Sequence, residues 1–178
     1  LVVLFVLAGR SRLRPLQRDR FKRGRVDRGV SDGLVARDGT FWLATGEGVV
    51  HADLRSGSLK LMGKASTDRW SAQHLAQDAE GRIWCAFWGG GIGRWDPERG
   101  SFVRYRYEPD AVNPSNSNIF HWMLPVEQAG HTRIIACSPR GLLVATPGNG
   151  EEALTDIRWY DHLQAGESSL LPSDVRCA

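Results

Sequence analysis

The chain repeats one short pattern of residues at an interval of 42 or 43 positions. Four elements recur in the same order: a turn glycine, a tryptophan inside an apolar run, a second glycine, and an aspartate that begins a turn. The first copy has them as Gly39, Trp42, Gly48 and Asp53, and the second as Gly81, Trp84, Gly91 and Asp96. Such an interval is typical of a supersecondary unit that stacks on copies of itself. We therefore expect these residues to build the repeat and not to carry chemistry.

A third copy follows in a weaker form. Gly130 and Gly141 take the places of the two glycines, and the run between them has Ile134 or Ile135 where the tryptophan stood. The last residues, 170–178, resemble the segment that precedes the third copy, so they predict the start of a further unit.

The middle unit shows what one repeat contains. Residues 70–106 form four short runs of strand-forming residues, separated by glycine, proline and aspartate turns. Four strands in about 40–45 residues make one blade of a β-propeller. We therefore expect an all-β fold, a partial propeller of about three four-stranded antiparallel blades. The units are predicted at 29–60, 70–106 and 119–165, inside a propeller portion that spans 29–178. Because a propeller closes with roughly 4–8 blades, the chain is expected to be a fragment of a larger ring.

The middle unit also resembles a known family. The runs 78–84 and 88–96, with Phe102 and Tyr105, are similar to the two-component regulator propeller repeat, and 107–119 is similar to that family's inter-blade linker. The opening segment 21–31 resembles the lead-in to the family's first blade. The stretch between Gly29 and Asp38 is shorter than the family pattern, so the first blade is expected to lack a strand.

The resemblance implies a sensor. In that family the propeller lies outside the membrane and is followed by a small all-β domain, a membrane helix, and a histidine kinase or diguanylate cyclase. By this resemblance the chain would be the ligand-sensing, non-catalytic portion of a receptor, periplasmic and anchored in the membrane as part of the full-length protein. Its partners would be a small-molecule or glycan ligand, the remaining blades and the output module, with a dimer as one form of association. Two alternatives stay open: a propeller scaffold for protein partners, and a fragment of a propeller-fold carbohydrate-active enzyme.

The amino-terminal residues differ from the repeats. Residues 1–9 are apolar and suit the end of a signal peptide or of a membrane segment. Residues 10–28 form a basic linker with nine arginines or lysines and two aspartates. Aromatic residues that could stack on bases are not interleaved with these charges, so we expect no nucleic-acid partner.

Candidate site residues are those that do not recur between units. Residues that recur between units are explained by the blade, whereas Trp70, His121 and Trp122 are unique and lie near blade starts. Aromatic residues at such places can form a platform for a ring-shaped ligand. Trp88 flanks the glycine turn of the second unit and is expected to be structural. A Cys85–Cys137 bridge between neighbouring blades is an open alternative to buried free thiols. The histidines are scattered without ligand spacing, so we expect no metal, no cofactor and no catalytic residue.

Overall fold

A computed structural model of the chain describes residues 29–53, 58–62, 70–107 and 118–161. These residues form twelve β-strands and no α-helix. The strands are β1 (Val30–Val35), β2 (Phe41–Thr45), β3 (Gly48–Asp53), β4 (Ser58–Met62), β5 (Ser71–Gln77), β6 (Ile83–Trp88), β7 (Gly91–Asp96), β8 (Ser101–Tyr105), β9 (Trp122–Gln128), β10 (His131–Ser138), β11 (Gly141–Pro147) and β12 (Leu154–Asp161). The predictions for residues 1–28 and 170–178 concern parts of the chain outside these ranges.

The strands form three four-stranded antiparallel meanders, and the predicted all-β partial propeller is confirmed. The first strand of the middle blade, β5, packs against β1 of the preceding blade and β9 of the following blade. The three first strands are therefore the innermost ones, on the side of the blades where a closed propeller has its central channel. Within the described ranges, no helix is long and apolar enough to cross a membrane.

The first blade corrects one expectation. The short stretch after Gly29 still forms a complete inner strand, Val30–Val35, which pairs with β2 along its length. The prediction of a missing strand was wrong because six residues are enough for an inner strand when the following turn is tight. The three sheets span 30–62, 71–105 and 122–161.

The hydrophobic core lies between blades. In the second strand of a blade, alternate side chains point to the following blade or to the preceding one. Trp42 of blade 1 faces Ile83 and Phe87 of blade 2 in one buried cluster. Trp84 of blade 2 faces Ile134 of blade 3 in the next cluster. The tryptophan position of the second strand thus faces the following blade.

Register settles which isoleucine takes the tryptophan position in blade 3. Phe87 pairs with Gly91 at the end of its hairpin, as Ser138 pairs with Gly141. Trp84 lies three residues before Phe87, and Ile135 lies three residues before Ser138, so the two positions are equivalent. Ile134 instead packs backward against blade 2.

The recurring turn residues have conformational reasons. Gly39 and Gly81 have φ values of 81° and 85°, and Gly91 has a φ of 80°. These left-handed conformations are strained for residues with a Cβ. The Asp96 carboxylate accepts hydrogen bonds from the backbone N–H groups of Glu98 and Arg99, at 2.9 and 3.0 Å. That bonding is a turn device and explains the repeated aspartate without any chemistry.

Blades 2 and 3 are joined by two polar anchors. The fully buried Asn118 accepts the N–H of Tyr107 at 2.8 Å and donates to the Tyr107 carbonyl at 2.6 Å. Arg94 of blade 2 donates to the backbone carbonyls of Gly148 and Gly150 in blade 3, at 2.6 and 2.9 Å. These bonds fix blade 3 in addition to the apolar core.

The state of Cys85 decides between a Cys85–Cys137 bridge and a free thiol at this position. Its thiol is free and fully buried, inside the core between blades 1 and 2. The Cys85–Cys137 bridge is therefore absent. Burial raises the pKa of the Cys85 thiol well above its ordinary value.

Candidate functional site

One position on each innermost strand brings three unlike side chains into a row. Asp32, His74 and Trp122 lie opposite Ala44, Ala86 and Cys137 of the adjacent strands, so they occupy the same register position in blades 1, 2 and 3. His74 Nε2 lies 3.7 Å from Asp32 Oδ2, and the His74 and Trp122 rings have centroids 5.4 Å apart. These three residues, called here the inner row, connect all three blades beside the channel.

Two β-bulges shape this region. The register of β1 shifts between Val30 and Asp32, and that of β5 shifts at the matching place, between Ala72 and His74. The extra residues are Ser31 and Gln73. A bulge bends its strand and redirects the side chains beside it, and bulges are frequent near functional sites.

The Asp32 carboxylate ties two blades together. Its Oδ1 accepts the N–H of Gly33 at 2.8 Å, and its Oδ2 accepts the N–H of Leu75 on β5 at 2.9 Å. A carboxylate has about four acceptor positions, and the side chain is 29% exposed. Asp32 can therefore hold the inner edge of β5 and still offer acceptor positions to a molecule in the channel.

His74 is neutral at neutral pH. Burial lowers its pKa below the ordinary value of 6.5, and the Asp32 charge opposes that shift only in part. Its Nδ1 is buried and has no hydrogen-bond partner. Asp32 is consequently the only charged member of the inner row.

The predicted residues His121 and Trp122 lie together with an unpredicted neighbour. Trp122 belongs to the inner row, and the adjacent His121 ring lies 5.3 Å from the Trp88 ring in an edge-to-face contact. Trp88 was expected to be structural, but its side chain is 50% exposed because the preceding Phe87 takes the buried position at the end of β6. His121 directly precedes Trp122 of the inner row, so the Trp88–His121 pair begins beside that row. The pair and the inner row are together called here the channel site.

Trp70 lies apart from that set. It packs into the core between blades 1 and 2, behind the glycine loop, where a Cβ on Gly90 would come within 2.6 Å of its ring. The Arg106 guanidinium carbon lies 5.6 Å from the Trp70 ring centroid. The structure therefore does not bring Trp70 together with His121 and Trp122.

Sequence reasoning missed Asp32 and His74. They are 42 residues apart, which is the repeat interval itself. A comparison of unlike residues at equal repeat positions would have paired them. What the sequence does not show is the contact between their side chains, because that contact depends on how the blades pack.

Other features are less suited to a ligand. A cavity of about 330 Å³ lies at the outer strand of blade 2, between Arg104 and Arg106 on one side and Glu151 and Leu154 on the other. Two basic and two acidic side chains line it. Among the described residues, no group of three or more His, Cys, Asp or Glu could hold a metal ion.

No protein-family model matches the chain, and no curated protein does so. Solved structures do resemble it. The extracellular domain of the system BT4673 from B. thetaiotaomicron, described once as a one-component and once as a hybrid two-component system, aligns at 18% and 16% identity with TM-scores of 0.52 and 0.51, covering 73% of this chain. The extracellular domain of the hybrid two-component system BT3049 aligns at 16% identity, with a TM-score of 0.51 over 69% of this chain. The chain spans only 16–17% of those chains. At these identities the likeness is one of fold.

Proposed function

We propose that this chain is the ligand-recognising propeller portion of an extracytoplasmic signalling receptor and is not itself catalytic. The observation that carries the proposal is the channel site, because it joins side chains from three blades at the centre of the ring. A molecule bound there would contact several blades at once and could change how they pack. The fold shared with extracellular domains of two-component systems supports the same function.

The composition of the site suits recognition. Trp88 and Trp122 offer apolar ring surface, while His121 and Asp32 supply polar groups. Binding sites are typically apolar with few, well-placed polar groups. The ligand under this proposal is a small molecule or glycan that carries a ring.

Location and signalling can be tested in the full reading frame. Alkaline phosphatase fused after residue 178 should be active, since the enzyme needs the oxidising extracytoplasmic environment. A β-galactosidase fusion at the same point is the matched control and should be inactive. The frame should also encode a membrane helix and a kinase or cyclase module. An inactive phosphatase fusion with an active galactosidase fusion would contradict the proposal.

A scaffold for a protein partner is the second candidate, favoured by the outer strand of blade 1. Leu59 and Leu61 on β4 are 41% and 37% exposed, beside the exposed Lys60. Unpaired outer strands with apolar side chains are places where another chain can pair. Under this candidate a second copy associates along β4. Light scattering should then give a dimer that the Leu59→Glu, Leu61→Glu double variant loses.

A further inference from the structure

We infer that Cys137 and Cys177 form a disulfide, which fastens the carboxy-terminal segment 170–178 to the side of blade 3 that faces away from blade 2. The inference concerns a covalent bond and not the ligand, so it goes beyond the proposed function. It follows from the oxidation states of the described cysteines, the burial of Cys137 and the repeat spacing.

The cysteine count leaves one pairing. The chain has three cysteines, Cys85, Cys137 and Cys177. Cys85 is a free thiol, whereas Cys137 is disulfide-bonded. A disulfide within the chain needs a second cysteine, and Cys177 is the one that remains.

Cys137 is buried on a face of blade 3 where its neighbours are exposed. Cys137 pairs with Leu142, and Leu142 pairs with Tyr160, so these side chains lie on one face of the sheet. On the same face Leu124 pairs with Ile135. Leu124 and Tyr160 are 43% and 37% exposed, but Cys137 is 0% exposed. A following blade would cover this face, and the described residues contain no blade after β12. A covering segment that carries Cys177 accounts for the burial of Cys137.

The repeat predicts where Cys177 belongs. The pair Asn-Ile at 118–119 recurs as Asp-Val at 174–175, a spacing of 56 residues. At this spacing Arg176 corresponds to Phe120, and Cys177 follows it directly.

The contact made by Phe120 shows what lies there. Its N–H donates to the carbonyl of Phe87, at the end of the second strand of the preceding blade, at 3.0 Å. Ser138 holds the position of Phe87 in blade 3. We therefore expect Arg176 to meet Ser138, which places Cys177 beside the end of β10, where the cysteine of that strand lies.

The chemistry of the bond is an exchange. The two thiols lose two protons and two electrons as the S–S bond forms, and a disulfide oxidant accepts them and is released as two thiols. The bond closes a long loop, and closing a loop restricts the unfolded chain. The bridge should therefore stabilise blade 3 under the oxidising conditions in which disulfides persist.

Peptide mapping tests the pairing without a variant. The full chain is equilibrated with oxidised and reduced glutathione, then unfolded, alkylated and digested with trypsin without further reduction. Cleavage after arginine should release residues 134–140 linked to residues 177–178, and reduction should separate them. Residues 83–94, which contain Cys85, should be recovered in alkylated form.

Variants test what the bond does. Cys177→Ser should make Cys137 reactive toward a maleimide in the unfolded chain, and it should lower the melting temperature by about 5–15 °C. Cys85→Ser is the matched control and should keep the bridge. Reductant should lower the melting temperature of Cys85→Ser but not that of Cys177→Ser.

Three results would overturn the inference. They are a reactive Cys177 in the oxidised chain, a link from residues 134–140 to residues 83–94 or to a second copy of themselves, and a melting temperature that neither reductant nor Cys177→Ser changes. None of them bears on the phosphatase fusion, which judges the proposed function separately.

Discussion

Blades 2 and 3 solve the same packing problem in different ways. Blade 2 uses Trp84, which is fully buried and donates its indole N–H to Asp78 Oδ2 at 2.7 Å. Blade 3 has Ile135 at that position. The two inner connections differ too: five residues separate Gln77 from its partner Ile83, whereas two residues separate Gln128 from His131.

The difference in turn length explains the difference in residue. A buried indole N–H needs an acceptor, and the longer turn of blade 2 provides one in Asp78. Blade 1 has the same turn length and supplies the Thr40 hydroxyl to Trp42 at 3.0 Å. The two-residue hairpin of blade 3 is a tight turn with positive φ at Ala129 and Gly130, and neither of these residues has a side-chain acceptor. An aliphatic residue fits where no acceptor exists. The tryptophan therefore occurs together with the long turn that supplies the acceptor for its indole N–H.

Replacing the tryptophan should give the largest effect. Trp84→Ala is expected to lower the free energy of unfolding by roughly 3–5 kcal/mol, as for a large aromatic residue lost from a packed interior. Ile135→Ala should cost no more than about 2 kcal/mol because the side chain is only partly buried. Urea unfolding followed by circular dichroism measures both. Trp88→Ala is the control of the same residue type at a half-exposed position. A loss below about 1 kcal/mol for Trp84 would remove the distinction between the blades.

The acceptor should matter next. Asp78 is 1% exposed and binds the Trp84 indole and the Arg82 guanidinium, so Asp78→Ala should cost roughly 1–3 kcal/mol by leaving buried donors unpaired. A double-mutant cycle with Trp84→Phe isolates the indole bond. Asp38→Asn in blade 1 should cost less, since Asp38 is exposed and reaches Trp42 only through Thr40. A coupling energy near zero would show that the turn and the tryptophan are independent.

Blade 3 should depend more on its polar anchor. Asn118→Ala removes both bonds to Tyr107 from a fully buried site, and the expected loss is about 1–3 kcal/mol. Asn118→Asp keeps the acceptor but sets a buried carboxylate oxygen against the Tyr107 carbonyl, so it should cost at least as much as Asn118→Ala. Hydrogen exchange should localise the loss to blade 3. Uniform loss of protection across all three blades would contradict a local anchor.

Among the predicted effects on stability, that of the inner row should be the smallest, and it should come from His74 of blade 2. The His74 pKa is lowered by burial, so the unfolded chain takes up this proton at a higher pH than the folded chain. The neutral form therefore contributes stability above pH 6.5, and this contribution is lost as the pH falls below that value. The melting temperature should drop between pH 7.5 and 5, and His74→Gln should make the drop smaller. An unchanged pH dependence in His74→Gln would show that other groups cause it.

The repeat interval was enough to predict the architecture, since it placed Trp42 and Trp84 in equivalent strands. The comparison with the family pattern failed at Val30–Val35, where a shorter stretch still completes a blade. In the site, Trp122 and His121 were accessible to sequence reasoning because they are unlike their repeat partners. The bulges that admit Ser31 and Gln73 could not be predicted, since a bulge is set by pairing with a neighbouring strand. Asp32 lies one repeat interval before His74 and was open to the same comparison, but the contact between the two side chains depends on how the blades pack.

The Asn118 side chain has a consequence for evolution. It holds the backbone of Tyr107 much as a neighbouring strand would, so positions 107 and 118 stay together whatever lies between them. Lengthening a closed loop costs little, about 0.6 kcal/mol per doubling. Insertions between these two positions are therefore expected to leave the blades in register. This is the place where a lineage could add a new recognition loop without rebuilding the ring.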